Sequence, residues 1–145
     1  MATVEDILRV KGRVVHTIAR RATVFEAIAR MVEKNSGSLV VVDGPKPAGM
    51  ITERDYLRRV ALEGRSSKTT LVEEIMSTGL VCVDAKTEIE ECMSLMTHRR
   101  VRHLPVFDDT SMVGLVSIGD VVRELARQRA STIAELTSYI QGSYA

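Results

Sequence analysis

Aromatic side chains are scarce in this chain. Tryptophan is absent, and two phenylalanines and three tyrosines make up 3% of its 145 residues. That is too few to build a platform on which nucleic-acid bases stack. No charge sign dominates either: 20 Lys and Arg stand against 19 Asp and Glu, a formal +1 at pH 7. No broad field exists to recruit nucleic acid or a membrane surface, so any anion site must come from local geometry. No apolar run approaches the roughly 20 residues of a membrane span. Residues Met1 to Leu8 carry acids and lack signal- or transit-peptide character. The expected location is therefore cytoplasmic, unless a mitochondrial transit peptide has been removed. The two cysteines, Cys82 and Cys92, form neither a C-x-x-C pair nor a metal-ligand spacing with histidine. They are expected to be reduced, buried thiols of an intracellular protein.

The chain does have enough apolar residues for a core. Hydrophobic residues are 45% and charged residues 27%, as in ordinary globular proteins, and the length suits one domain or two small interlocked ones. It also repeats itself. Displaced by 65 positions, residues 15–60 align with residues 80–125 without a gap: Glu26 meets Glu91, Met31 Met96, Leu39 Leu104, Gly49 Gly114, Asp55 Asp120 and Arg58 Arg123. A weaker echo upstream pairs Val4-Glu5-Asp6-Ile7-Leu8 with Val72-Glu73-Glu74-Ile75-Met76 at a displacement of 68, so copy one carries three extra residues within 9–14. Such duplication marks a repeated supersecondary unit.

Each copy reads as the same series of elements. A short helix (4–8; 71–76) precedes a short strand (14–18; 80–83). An amphipathic helix follows, with Val24, Ala27, Ile28, Met31 and Val32 on one stripe and Ile89, Cys92, Met93 and Met96 on the other. The apolar runs 39–42 and 104–107 suit buried strands. Turns at 44–47 and 108–111 lead to second strands at 48–51 and 112–116, and final helices open at Thr52 and Ser117. The predicted layout is repeat one at 1–62, a polar linker at 63–70, repeat two at 71–128 and a helical tail at 129–145. In that tail Ile133, Leu136 and Ile140 form a stripe that needs a surface, on this chain or a second copy.

The informative motif is Gly49-Met50-Ile51-Thr52-Glu53-Arg54-Asp55, repeated as Gly114-Leu115-Val116-Ser117-Ile118-Gly119-Asp120. A hydroxyl followed three residues later by an acid is a helix-capping signature. The same corner also suits a sugar phosphate. Free N–H groups and a partial positive charge favour the phosphate, and an Asp one turn in can accept both ribose hydroxyls. Arg54 adds a phosphate clamp in copy one, where copy two has Gly119. Copy two offers Arg99-Arg100-Val101-Arg102-His103 instead, opposite Asn35-Ser36-Gly37-Ser38. That basic run reads equally as a solvated helix end. No second ligand stands at zinc spacing from His103, so no metal is expected. No nucleophile–base pair is readable, so catalysis is not expected.

These features resemble the CBS domain family, named after cystathionine β-synthase. The resemblance rests on the two-copy layout, Val24-Phe25-Glu26-Ala27 opening a helix, Arg102-His103-Leu104-Pro105-Val106 entering a strand, and the paired Gly-x-x-Thr/Ser-x-x-Asp motifs. A closer likeness is to stand-alone tandem CBS proteins of bacteria and plant mitochondria. It rests on Thr52-Glu53-Arg54-Asp55-Tyr56, Gly64-Arg65-Ser66-Ser67-Lys68 and the tail Tyr139-Ile140-Gln141-Gly142-Ser143-Tyr144. The resemblance implies an α+β fold of two pseudo-twofold-related β-α-β-β-α repeats packed through their sheets. It implies clefts that hold AMP, ADP, ATP, or sometimes NAD or S-adenosylmethionine, a homodimer, and a regulated partner protein that the sequence does not identify. It implies that Thr52 and Ser117 touch phosphate and that Asp55 and Asp120 hold ribose. Arg54, Arg102 and His103 would hold phosphates, and Gly37, Ser38, Met76 and Ser77 would line the adenine with backbone. The alternative is a protein-interaction or assembly module with empty clefts.

Overall fold

The computed structural model describes the backbone of residues 1–143 and the side chains of residues 1–138. The chain forms two compact α+β units, one of residues 14–80 and one of residues 1–13 with 81–145. These units cut across the repeats. Helix α1 (Val4–Lys11) opens the first repeat, yet Val4, Ile7 and Leu8 are buried in the core of the unit built from the second.

In the unit of residues 14–80, strand β1 (Thr17–Ala19) leads to α2 (Val24–Lys34), β2 (Ser38–Asp43), β3 (Lys46–Thr52) and α3 (Glu53–Tyr56). The last continues as a π-helical turn, Leu57–Ala61, and the short α4 (Val72–Ile75) closes the unit. β2 pairs with β1 in parallel and with β3 antiparallel. The buried stripe of α2 is Val24, Ala27 and Met31, with Ile28 half-buried against the same core. Val32, expected on that stripe, is 76% exposed, because the position eight residues along has rotated towards the helix edge. The β2–β3 turn is tighter than predicted: Lys46 and Pro47 already belong to β3. A bulge falls between Val41 and Val42, opposite Pro47 to Gly49, a place where a strand tolerates proline.

The other unit repeats this plan with α5 (Ile89–Arg99), β4 (His103–Asp108), β5 (Ser111–Ser117) and α6 (Ile118–Ser143). Its core gathers α1 with Ile89, Cys92, Met96, Leu104, Val106, Val116 and Val121. The short strand predicted at 80–83 shrinks to a single bridge, Val83 to Val106. In copy one the Val40 amide donates to the His16 carbonyl and extends that ladder. The repeat partner of Val40 is Pro105, which has no N–H to donate. Cys92 is buried as expected, and its thiol pKa is pushed up to about 11 by burial and the neighbouring Glu91. Cys82, expected to be buried, is exposed on the connection before that bridge. The tail is a direct continuation of α6 rather than a separate helix. Ile133 and Leu136 are 64% and 57% exposed; the side chain of Ile140 lies outside the described residues. Among the described residues no helix is long and apolar enough to cross a membrane.

Candidate functional site

Both motifs sit where a strand becomes a helix, and both are reciprocal caps. At the first, the Thr52 amide donates to Asp55 Oδ2 at 2.9 Å, the Asp55 amide donates back to Thr52 Oγ1 at 3.2 Å, and the Thr52 hydroxyl reaches Oδ2 at 3.1 Å. Strand β2 and a bridged segment at Ser77 frame this corner. Ser38 pairs with Thr52 across the β2–β3 ladder, and the Glu53 amide donates to the Gly37 carbonyl at 3.0 Å. On the other edge of β3, Met50 and Ser77 exchange both backbone bonds at 2.9 Å. This approach requires Gly49, since any Cβ there would collide with the Ser77 carbonyl. One compact unit thus brings together Thr52, Arg54, Asp55, Gly37, Ser38, Met76 and Ser77. Ser38 and Met76 are buried, Arg54 and Ser77 are exposed, and Thr52 and Asp55 are half-buried. Among the described residues no ion pair reaches Asp55; Arg58, the repeat partner of Arg123, falls in the π turn.

The second corner uses the same scaffold with different electrostatics. His103 pairs with Ser117 in the β4–β5 ladder, and the Ile118 amide donates to the Arg102 carbonyl at 2.9 Å, as Glu53 does to Gly37. The Ser117 amide donates to Asp120 Oδ2 at 2.8 Å, and the Asp120 amide donates to Ser117 Oγ at 3.2 Å. Asp120, however, is only 7% exposed, and two cations hold it. Lys11 Nζ lies 2.6 Å from Oδ2 and also donates to the Leu115 carbonyl at 2.9 Å; Arg123 donates to Oδ1 at 2.6 Å. Burial works against this carboxylate, but the Lys11 ammonium and the Ser117 amide and hydroxyl outweigh it and hold the carboxyl below its usual range. Burial first and Lys11 second lower the pKa of His103, with Arg102 adding to the effect and Asp120 opposing it. Arg102 itself is exposed.

Sequence reasoning missed Lys11 and Arg123 as members of this corner. Arg123 carried a signal, its alignment with Arg58. For Lys11 the signal was the three-residue excess within 9–14, which proves to be an added helical turn: α4 ends at Ile75, whereas α1 runs on to Lys11.

The sequence model of the CBS domain matches this chain twice, over residues 4–62 and 72–127. The chain belongs to the CBS domain family. It is 41% identical to the mitochondrial CBS domain-containing protein CBSX3 of Arabidopsis thaliana, over 98% of this chain and 73% of that protein. A solved structure of a protein with CBS domains from Burkholderia ambifaria superposes with a TM-score of 0.82 at 48% identity, covering 86% of this chain and 93% of that one. The CBS domain pair of MJ0100, solved with 5′-methylthioadenosine and S-adenosyl-L-methionine, shares the fold at a TM-score of 0.75 and 24% identity, over 88% of this chain and 98% of that one. A CBS domain pair is a regulatory module, and two such repeats account for most of this chain.

Proposed function

We propose that the protein is a sensor that binds an adenine nucleotide and passes its occupancy to a partner protein, without turning the ligand over. AMP, ADP and ATP are the leading ligands, with NAD and S-adenosylmethionine in the same adenosine class. The observation that carries this reading is the Thr52–Asp55 corner. There a half-buried carboxylate unmatched by any described cation stands beside a hydroxyl, an exposed Arg54 and a wall of strand-edge backbone. Thr52 and Arg54 would take phosphate, Asp55 the ribose hydroxyls, and Gly37, Ser38, Met76 and Ser77 the base. Ser117, Asp120, Arg102 and His103 are the corresponding groups of the second corner. The MJ0100 pair carries adenosine ligands on the same fold, which supports this ligand class. A cytoplasmic or mitochondrial matrix location fits the reading, and the exposed Ile133 and Leu136 of α6 favour a homodimer. A ligand shifts partner binding only through unequal affinity for two arrangements of the protein.

Asp55→Asn separates a cap from a ribose contact, because the asparagine carbonyl oxygen can still accept the Thr52 amide bond while the carboxylate charge is gone. A lost charge-assisted bond of about 1.5–3 kcal/mol predicts a roughly ten- to hundredfold weaker Kd for AMP or ATP, with the fold intact. Calorimetry reads it. Heat-silent titrations of the native protein with AMP, ATP and NAD at millimolar ligand would sink the reading; an unchanged Kd in Asp55→Asn would reduce Asp55 to a cap.

A further inference from the structure

We propose that Lys11 is an internal latch on the second corner: its ammonium occupies Asp120, so that each chain binds one nucleotide, at the Thr52–Asp55 corner. This deepens the nucleotide reading above and rests on it.

Three observations carry the proposal. First, Asp120 has no vacant oxygen. Oδ2 receives the Ser117 amide at 2.8 Å and the Lys11 ammonium at 2.6 Å, and Oδ1 receives Arg123 at 2.6 Å. Three of the roughly four acceptor positions of a carboxylate shielded from water are filled, so two ribose hydroxyls cannot both bind it unless one of these donors gives way. An ammonium or guanidinium on a carboxylate adds an ion-pair attraction that a neutral hydroxyl donor lacks. Second, Lys11 is no casual surface pair. Its side chain is 34% exposed, and its ammonium also satisfies the Leu115 carbonyl at 2.9 Å. In copy one the equivalent carbonyl, that of Met50, is satisfied by the Ser77 amide at 2.9 Å. One ammonium therefore fills the place of a strand-edge backbone donor and neutralises the site carboxylate. Third, the device is specific to one copy. Helix α4 stops at Ile75 and the chain turns extended at Met76, so no lysine is delivered to Asp55. The additional turn of α1 is what carries Lys11 to Asp120.

Calorimetric stoichiometry with AMP tests the latch. The native protein should bind one AMP per chain, Asp55→Asn should bind it roughly ten- to hundredfold more weakly, and Lys11→Met should bind two. Lys11→Arg, which keeps the cation, should stay at one. The double variant Asp55→Asn/Lys11→Met should regain one full-strength site per chain, now at Ser117–Asp120. Two AMP per native chain, or a full-strength site remaining in Asp55→Asn, overturns the proposal without any change at Lys11, so it stays testable even if Lys11→Met does not fold. One AMP per chain in both the native protein and a folded Lys11→Met also overturns it while leaving the nucleotide reading intact. No AMP bound by either protein overturns both. A carboxyl NMR titration reads the contact without ligand: the Asp120 midpoint should rise in Lys11→Met, and an unmoved midpoint counts against the latch.

Discussion

Gly49 and Gly114 occupy the same position in the two repeats, yet the same substitution should act differently at each. A Cβ at Gly49 would run into the Ser77 carbonyl, with Met76 Sδ at 3.1 Å behind it. A Cβ at Gly114 would meet the Leu8 side chain first, with Cδ2 at 2.7 Å and Cδ1 at 3.2 Å. The first obstacle is backbone tied to Met50 by two hydrogen bonds; the second is the end of a flexible side chain. Overpacking costs about 1–3 kcal/mol. Losing the two Met50–Ser77 bonds adds about 1 kcal/mol each. Replacing a strand glycine by alanine returns about 0.5–1 kcal/mol. These sum to about 2–4.5 kcal/mol lost for Gly49→Ala and about 0–2.5 kcal/mol for Gly114→Ala.

Urea unfolding at fixed pH measures both, and a second pair of variants tests the cause. Leu8→Ala alone opens a core cavity, which typically costs about 2–5 kcal/mol, and the new methyl of Gly114→Ala should partly fill it. The double variant Gly114→Ala/Leu8→Ala should therefore be more stable than additivity predicts, by about 1 kcal/mol or more. Met76→Ala should not rescue Gly49→Ala, because it leaves the carbonyl in place. The reasoning is refuted if the two glycine variants cost the same, or if Met76→Ala relieves Gly49→Ala as fully as Leu8→Ala relieves Gly114→Ala.

Three other outcomes are expected. His103 is held below its ordinary pKa by burial, Lys11 and Arg102, so the unfolded chain binds its proton first. Stability should then fall as pH drops below about 6.5, by at most about 1.4 kcal/mol per pH unit for this one group, and Asn at His103 should flatten that slope in urea midpoints taken between pH 7.5 and 5.5. Asp120 acts in a lower window: its depressed carboxyl stabilises the fold above its ordinary value near pH 4 and loses that contribution as pH falls through the lowered one. Truncation after Gln128 removes the exposed Ile133 and Leu136, and light scattering should then show a smaller assembly; an unchanged assembly would exclude the tail as its glue.

The elements with strong periodicity were legible in the sequence. The α2 and α5 stripes, the buried runs around Val41 and Val106 and the two strand-to-helix corners need only local pattern, and copying the pattern copies the fold. The departures arise where a partner from another part of the chain decides. Val4-Glu5-Asp6-Ile7 and Val72-Glu73-Glu74-Ile75 carry the same apolar spacing, and either could fill either core. Connectivity favours the nearer one, yet α1 is buried in the unit built from repeat two. The asymmetry of the corners has the same origin. As text, Thr52-Glu53-Arg54-Asp55 looks like the better cation site and Ser117-Ile118-Gly119-Asp120 the poorer one, because Arg54 faces Gly119. In space the order reverses: Arg54 is exposed, and the cations on Asp120 come from Lys11, 109 positions away, and from Arg123, one turn on. A carboxylate buried this deeply is tolerated only when paired. Its pairing residues are therefore part of what makes the corner fold, and a ligand arriving at Ser117–Asp120 would compete with two cations of the protein itself, whereas at Thr52–Asp55 no cation among the described residues would have to give way.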